Sequence, residues 1–317
     1  ISLSPNVKEK FCTETVDFMD PLSLFRSLWS YYSKVRRVLY GHKNFVVYLS
    51  MENPIVFDTL NKMDPASITP DHVRGLSLGR VTEEFGTIGL YARAVDTFEQ
   101  HGLADNNLVQ LAFQLGLALH ADDYRTNGHY TDHLMRVTLH MVEDFGITDP
   151  NLIAAGPLHD SFEDHPRDLV LALTGEKPAT REEAIVLGRR ALAALTNEEV
   201  VSIIESVTNP PVLEGQNKLD VYTAHTRELV LGSPKGRVLK LADFIDNAGG
   251  NHATIGDKQR KLDEKYLRQF RIHKMGLFLP NSLIVGEERQ RALHMLSKGH
   301  MRALGRLGIQ KAESQKT

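Results

Sequence analysis

The spacing of apolar residues constrains the fold of this chain more than any other feature. After residue 51 they recur every three or four positions, which is the period of a helix face, and segments with the two-residue period of a strand are few. Segment 106–124 shows the pattern in four leucines on one face: Leu108, Leu111, Leu115 and Leu119. Segment 132–146 repeats it and ends at Gly146, a common helix stop. The sequence therefore predicts an all-α protein with a globular helical domain rather than a long bundle.

Composition divides the chain into four predicted segments. Its 317 residues are enough for one large domain or two small ones. Residues 1–50 hold the only cysteine and the only tryptophan and lack a clear helical period, so they are predicted to be an N-terminal extension of unknown role. The other predicted segments are an N-terminal helical segment, the main domain, and a C-terminal helix with a basic tail: 51–107, 108–280 and 281–317.

Composition also excludes several classes of protein. Apolar residues make up 42% of the chain, which is enough to bury a core, so general disorder is excluded. The net charge of −3 argues against a protein that coats nucleic acid by bulk charge, and no nucleic-acid partner is expected. Cys12 is the only cysteine, so no internal disulfide is expected. No apolar run is long enough to span a membrane, and a cytoplasmic protein is expected, with a homo-oligomer left open.

A short polar motif closes an apolar segment in the middle of the chain. The pair Asp149-Pro150 is typical of a helix start, and this helix is predicted to carry NLIAAGPLHDSFED as far as residue 164. The dipeptide His159-Asp160 carries no weight alone, because chance predicts such a pair in a chain of this composition. Its context does carry weight. With Glu163 and Asp164 about one turn later, three carboxylates lie close together and repel one another unless a proton or a cation intervenes.

Two more residues can join this group. Asp243 interrupts the apolar run VLKLADFI, and a buried carboxylate needs a counter-charge. His133 begins the apolar helix before the His-Asp segment. A divalent cation would satisfy four side chains together: His133, His159, Asp160 and Asp243. Two imidazoles and two carboxylates are a mixed N/O set suited to Mn²⁺, Fe²⁺, Zn²⁺ or Ni²⁺. The competing interpretation leaves His133 on the surface and pairs Asp243 with Lys240 or a nearby arginine.

The order His, then His-Asp, then Asp on successive helices resembles the HD-domain metal-dependent phosphohydrolases. The nearer resemblance is to the hydrolase domain of the RelA/SpoT family, including its small stand-alone alarmone hydrolases. HDSFED at 159–164 matches the HDxxED motif of that family, and KLADFIDN at 240–247 matches its KLADRxxN motif. RTNGHYTDHL at 125–134 is similar to its RxSGxPYxxHP loop. The resemblance covers residues 108–275 and implies an HD-domain fold.

This resemblance implies removal of the 3′-pyrophosphate from ppGpp-like nucleotides, with Mn²⁺ as the cofactor. The implied metal ligands are His133, His159, Asp160 and Asp243. The implied catalytic residues, which position or activate the attacking water, are Glu163 and Asp164. The implied contacts to the nucleotide or its phosphates are Arg125, Lys240 and Asn247. Bifunctional members carry a synthetase domain after the hydrolase, and too few residues follow 275 for one, so a hydrolase-only protein is expected.

Several positions depart from the family pattern. The loop from Arg125 to His133 is one residue shorter and lacks the proline before the tyrosine. Phe244 stands where the family has arginine, and Asp246 where it commonly has histidine, and both changes are expected to alter the charge near the substrate. Two alternatives therefore stay open. One is an HD phosphohydrolase that acts on another nucleotide or phosphorylated metabolite, and the other is a catalytically silent HD module that binds a nucleotide.

The remaining histidines are weaker candidates. His129 and His140 are considered for a second metal and set aside, because a binuclear centre needs further ligands at more than one place. His120, which two aspartates follow closely, is predicted to end a helix, and His165 is predicted to be a helix-end residue rather than a ligand. The segment GSPKG at 232–236 lacks the spacing of a phosphate-binding loop and is predicted to be a turn.

Overall fold

A computed structural model of the chain describes residues 68–126, 128–250 and 256–308. These residues are predominantly helical, which confirms the predicted all-α class. The helices are α1 Pro70–Val73, α2 Leu78–Gln100, α3 Asn107–Leu119, α4 Tyr130–Leu139, α5 Pro150–Leu158, α6 Ser161–Asp164, α7 Pro166–Thr174, α8 Arg181–Leu195, α9 Glu198–Val207, α10 Lys218–Gly232, α11 Pro234–Gly250, α12 Gly256–Gly276 and α13 Gly286–Arg306. The predicted extension, residues 1–50, lies outside the described residues. In the described part of the chain, no helix combines the length and the apolar character needed to cross a bilayer.

The segment between α3 and α5 contains two irregular features. Strands β1 (Tyr124–Arg125) and β2 (Gly128–His129) form a short antiparallel hairpin where a loop was predicted. Helix α4 follows directly and continues as a π-helical turn, His140–Asp144. Gly146 then adopts a positive φ of 67°, a conformation that glycine takes without strain, and the helical segment ends as predicted.

Helices α4, α5 and α11 meet in the buried core. Helix α4 contacts both α5 and α11, and α5 also packs against α3 and α9. The apolar side chains on the three central helices are almost completely buried, among them Met135, Val137, Leu152, Ile153, Leu158, Leu239 and Ala242. Full burial of a leucine or isoleucine side chain contributes about 1.5–3 kcal/mol. This packing therefore fixes the positions of the polar residues that the same helices carry.

Two glycines allow α5 to lie close to its neighbours. A Cβ atom on Gly156 would be 2.6 Å from Met141 Cε and 2.9 Å from Thr138 Oγ1, at the contact with the segment of α4 and its π-helical turn. A Cβ atom on Gly116 would be 2.2 Å from the Pro157 carbonyl oxygen, where α3 contacts α5. A larger residue at either position would move α5 away from its partner, and with it the residues that follow α5.

Helix α5 ends at Leu158, so the prediction of one helix through residue 164 is wrong. His159 and Asp160 form the turn before α6, and Asp160 is its N-cap residue. Pro157 weakens the end of α5 because proline has no N–H and its ring crowds the preceding turn. The turn predicted at 232–236 is confined to Ser233, because α10 ends at Gly232 and α11 begins with the next proline.

Candidate metal centre

The structure brings the four predicted ligands together between α4, the end of α5, and α11. His133 Nε2 lies 3.4 Å from Asp243 Oδ1. His159 Nε2 lies 2.9 Å from Asp160 Oδ2 and 3.8 Å from Asp243 Oδ1. Both imidazoles are buried, whereas the side chains of Asp160 and Asp243 keep 15% and 10% of their exposure. The carboxylates are therefore the part of this group that solvent can reach.

The Nε2 atoms of His133 and His159 are buried and have no hydrogen-bond partner, although carboxylate oxygens lie close to both. Even the 2.9 Å contact of His159 with Asp160 lacks the geometry of a hydrogen bond. Ligand atoms lie about 2.1 Å from a bound cation, so neighbouring ligands are about 3 Å apart. A buried polar atom without a partner costs about 1–3 kcal/mol. A divalent metal would satisfy both nitrogens, and the donor set fits one.

The four groups are not equally close to one another. One ligand atom from each of His133, His159 and Asp160 lies within 4.8 Å of the other two. Asp243 joins this group through its contacts with the two imidazoles. Its carboxylate also lies 3.2 Å from Lys240 Nζ and accepts a hydrogen bond from Asn247 Nδ2. The pairing of Asp243 with Lys240, which the competing interpretation predicted, is thus present in the same structure as the clustered histidines.

The Nδ1 atom of each imidazole is held by an acceptor from the protein. His133 Nδ1 lies 2.7 Å from Asp246 Oδ2, and His159 Nδ1 lies 2.8 Å from the Gly156 carbonyl oxygen. Arg136 in turn holds Asp246 through hydrogen bonds of 2.6 and 3.2 Å. In the neutral form of each imidazole, with the single ring proton donated by Nδ1 to these acceptors, Nε2 keeps a free lone pair that a metal can bind. This second layer of contacts is typical of histidines that bind a metal.

Two positions that were predicted to alter the charge near the substrate make contacts within the protein. Asp246 is bonded to His133 and Arg136. Phe244 is 1% exposed and packs against the rings of Tyr266, Phe270 and His273. The reason is helical geometry, because successive residues of α11 point about 100° apart. Position 243 therefore faces the histidines while position 244 faces α12.

The charges of the centre depend strongly on one another. Although burial disfavours the charged imidazole, the Asp160 carboxylate raises the pKa of His159 to about 9. Against the cost of burial, Lys240 and His133 hold the pKa of Asp243 well below its ordinary value. The charge of His159 in turn holds the pKa of Asp160 below its ordinary value despite burial, so both aspartates are anionic. A bound cation would take the place of the additional proton on His159.

The predicted catalytic carboxylates lie in α6, directly after the His-Asp turn. Glu163 is partly buried and accepts hydrogen bonds from the Asn209 backbone nitrogen at 2.6 Å and from Asn209 Nδ2 at 3.1 Å. Burial, followed by the charge of Asp160, raises the pKa of Glu163. Asp164 is more exposed, and partial desolvation followed by the same charge raises its pKa as well. The charge of the predicted ligand Asp160 therefore raises the pKa of both carboxylates.

The predicted substrate contacts form a connected group with the predicted ligand Asp243. Arg125 Nη1 donates to Asn247 Oδ1 at 2.6 Å, and Asn247 donates to Asp243. Lys240 is buried beside the same carboxylate, with Nζ also 3.4 Å from the Val207 carbonyl oxygen. The structure thus brings the three predicted residues to one side of the centre.

Sequence reasoning missed the contacts of three residues that hold the centre: Tyr130, Arg136 and Asp246. The Tyr130 hydroxyl donates to Asp160 Oδ2, and the Arg125 guanidinium lies 4.2 Å from the centre of the Tyr130 ring. Arg136 and Asp246 form a buried pair. Arg136 could have been found, because an arginine three residues after His133 on an apolar helix needs a buried counter-charge.

Comparison with models of known protein families and with curated proteins finds no match to this chain.

Proposed function

We propose that this protein is a metal-dependent phosphohydrolase with an HD-domain fold that cleaves a phosphate or pyrophosphate ester of a nucleotide. The observation that carries this proposal is the pair of buried, unpartnered Nε2 atoms of His133 and His159 beside Asp160 and Asp243. The order of the four residues along the chain follows the HD pattern, which adds independent support.

The metal in this proposal is a divalent cation held by His133, His159, Asp160 and Asp243. Mn²⁺ suits such a mixed set of nitrogen and oxygen donors. The cation, when bound, supplies Lewis-acid chemistry that activates water and neutralises charge on phosphoryl oxygens. Asp246 and the Gly156 carbonyl group keep the imidazoles oriented toward it.

Glu163 is assigned as the residue that accepts the proton of the attacking water. Its raised pKa favours this role, because a general base works best when its pKa is near the working pH. The two hydrogen-bond donors of Asn209 fix the orientation of its carboxylate. Asp164, more exposed at the end of α6, is assigned to positioning that water.

Arg125, Lys240 and Asn247 are assigned to the phosphate side of the substrate. Arg125 uses one N–H on Asn247 and has others that can donate to phosphate oxygens. Lys240 adds a buried positive charge beside Asp243, which offsets the repulsion between a phosphate and the carboxylates. The leading substrate is (p)ppGpp, cleaved at its 3′-pyrophosphate, on the strength of the HDSFED and KLADFIDN motifs.

Another nucleotide or a phosphorylated metabolite is the second candidate substrate. The observation that favours it is Phe244, which is buried against α12 at the position where the alarmone hydrolases have an arginine. A positive charge that the family places in this motif is therefore missing here. The chemistry and its residues are the same for both candidates.

Product release tests the proposal. The Mn²⁺-loaded protein is assayed for phosphate and pyrophosphate with a panel of nucleotides that includes ppGpp. Asp243→Ala is the inactive variant, and Asp257→Ala, an exposed aspartate on α12, is the matched control. Pyrophosphate from ppGpp that is lost only in Asp243→Ala supports an alarmone hydrolase. Release from another nucleotide supports the second candidate. A metal-loaded protein that releases neither product from any nucleotide overturns the nucleotide proposal.

A further inference from the structure

A second group of histidine and aspartate side chains lies where α3, the hairpin and the α6–α7 junction meet. His120 follows α3, Asp123 precedes β1, and His165 separates α6 from α7. One ligand atom from each of the three lies within 4.8 Å of the other two. Asp123 Oδ2 lies 2.7 Å from both His120 Nδ1 and His165 Nε2. Two imidazole nitrogens thus meet at one carboxylate oxygen.

His165 resembles His133 of the first centre in having a carboxylate at Nδ1, but its Nε2 is hydrogen-bonded to Asp123, whereas the Nε2 of His133 has no hydrogen-bond partner. Its Nδ1 lies 2.9 Å from Asp168 Oδ2, while its Nε2 faces Asp123. His133 likewise gives Nδ1 to Asp246 and turns Nε2 toward carboxylate oxygens. A carboxylate on the far nitrogen fixes the tautomer and the ring orientation of a histidine that binds a metal.

His120 is held rigidly in this group. Its imidazole is completely buried and stacks on the Tyr130 ring, with centroids 4.6 Å apart and planes 11° from parallel. The edge of the His165 ring lies against it, with centroids 4.5 Å apart. The side chains of Asp123 and His165 keep 32% and 19% of their exposure, so one side of the group is open to ions and water. The group is therefore both preformed and accessible.

We propose that His120, Asp123 and His165 form a second divalent-cation site, separate from the centre at His133 and His159. Two imidazoles and one carboxylate suit a borderline cation of the Zn²⁺, Co²⁺ or Ni²⁺ class, with water in the remaining positions. The site uses none of the ligands of the first centre, so it does not depend on the proposed hydrolase activity.

The role of this second cation is to position the first centre. It ties the end of α3 to the hairpin and to the α6–α7 junction. Tyr130 connects the two sites, because its ring stacks on His120 and its hydroxyl group donates to Asp160. A cation that immobilises His120 therefore also restrains the carboxylate of a ligand in the first centre.

Cation stoichiometry of the full chain tests the proposal. Metal-free protein is titrated with Co²⁺, and binding is followed by visible absorption and by metal content after desalting. Asp243→Ala weakens the first centre, so the cation that this variant retains reports on the second site. His165→Gln and Asp123→Asn each remove a proposed ligand with little change of size, and either one is combined with Asp243→Ala. His294→Gln, an exposed histidine on α13, is the matched control.

The expected result is about two Co²⁺ per chain in the wild type and in His294→Gln, and about one in Asp243→Ala. Both combined variants are expected to lose the remaining Co²⁺ and the rise in melting temperature that Co²⁺ causes in Asp243→Ala. If Asp243→Ala binds no Co²⁺, or if the combined variants keep it, there is no cation site here, and an imidazolium shared between two carboxylates explains the contacts. Product release by the wild type is a separate measurement, and it tests the hydrolase proposal whichever result the Co²⁺ titration gives.

Discussion

The described part of the chain buries histidines in two contrasting ways. His133 and His159 each give Nδ1 to a protein acceptor and keep Nε2 beside carboxylate oxygens. His273 on α12 is equally buried, but neither of its ring nitrogens has a partner among the described residues. Its ring stacks on Phe244 with centroids 4.4 Å apart. One pair is surrounded by charge and the other histidine by aromatic rings.

This difference shows that burial alone does not identify a metal ligand. Burial lowers the pKa of His273 to about 3, so this residue is neutral and packs as an aromatic side chain of the core. His133 is instead oriented by a buried ion pair, Arg136–Asp246. Such a pair loses the hydration of both charges, a cost that core packing alone would not require. Controlled ring orientation distinguishes the candidate ligands.

The largest effect is expected from Asp243→Ala, which removes a carboxylate next to His133 and His159. Phosphohydrolase activity is expected to fall at least about 1000-fold, because the loss of a Lewis-acid metal removes several kcal/mol of transition-state stabilisation. Product release and Mn²⁺ content are measured together, with Asp257→Ala as the control. Full metal content with an unchanged rate would contradict the four-ligand centre.

The next effect is expected from Glu163→Gln, which separates metal binding from proton transfer. The amide cannot accept the proton of water, so kcat is expected to fall about 100-fold or more. Mn²⁺ content should stay at the wild-type level, because Glu163 is not a proposed ligand. A wild-type kcat in this variant would remove Glu163 from the role of general base.

Asp246→Asn tests whether the orientation of the His133 ring contributes to metal affinity. The variant loses the charge that supports His133 and leaves Arg136 without its ion-pair partner. Mn²⁺ affinity is expected to fall about 10- to 100-fold, as for other outer contacts of metal-binding histidines. Competition with a chelator measures this. The matched control is Asp144→Asn, whose carboxylate contacts His140, which is not a proposed ligand. An equal loss in both variants would show that the effect is not specific to His133.

The smallest effect is expected from His273→Leu, which changes the histidine that packs against Phe244. The unfolded chain takes up a proton near the ordinary histidine pKa of about 6.5, whereas the folded protein does not until a much lower pH. Wild-type stability therefore falls as the pH decreases from about 6.5 toward 3, and the variant lacks this contribution. Urea unfolding at pH 7 and pH 5 measures this contribution. The free energy of unfolding is expected to fall between the two pH values by about 1–2 kcal/mol less in the variant than in the wild type.

Mn²⁺ affinity of His273→Leu, measured at pH 7, should equal that of the wild type. If both proteins lose the same stability between the two pH values, His273 is protonated in the fold and its environment is not the apolar one described here. If the variant instead loses its Mn²⁺, the separation between the two groups of histidines is wrong.

The sequence was sufficient for the fold class and for the contacts that follow from residue type. Apolar spacing predicted the helices, and Gly146 predicted a helix end correctly. Charge and predicted burial indicated that Asp160 and Asp243 would need partners, and the structure places both near His133 or His159. These properties depend only on single residues and their near neighbours along the chain, so they can be predicted from the sequence.

Other features depend on residues far apart along the chain and could not be predicted locally. The Arg136–Asp246 pair spans 110 positions, and His165 reaches Asp123 over 42. Position 244 was assigned from a family motif, which does not tell which side of α11 faces the core. The break at His159-Asp160 was missed because the apolar run before it is typical of a continuous helix.

We propose that the oriented Nε2 atoms of His133 and His159 hold a cation. Anomalous X-ray diffraction from crystals of the full chain saturated with Mn²⁺ tests it most directly. The expected map has a manganese peak about 2.0–2.3 Å from both Nε2 atoms and from carboxylate oxygens of Asp160 and Asp243. A map without a peak at this position, with both Nε2 atoms hydrogen-bonded to carboxylates, would contradict it.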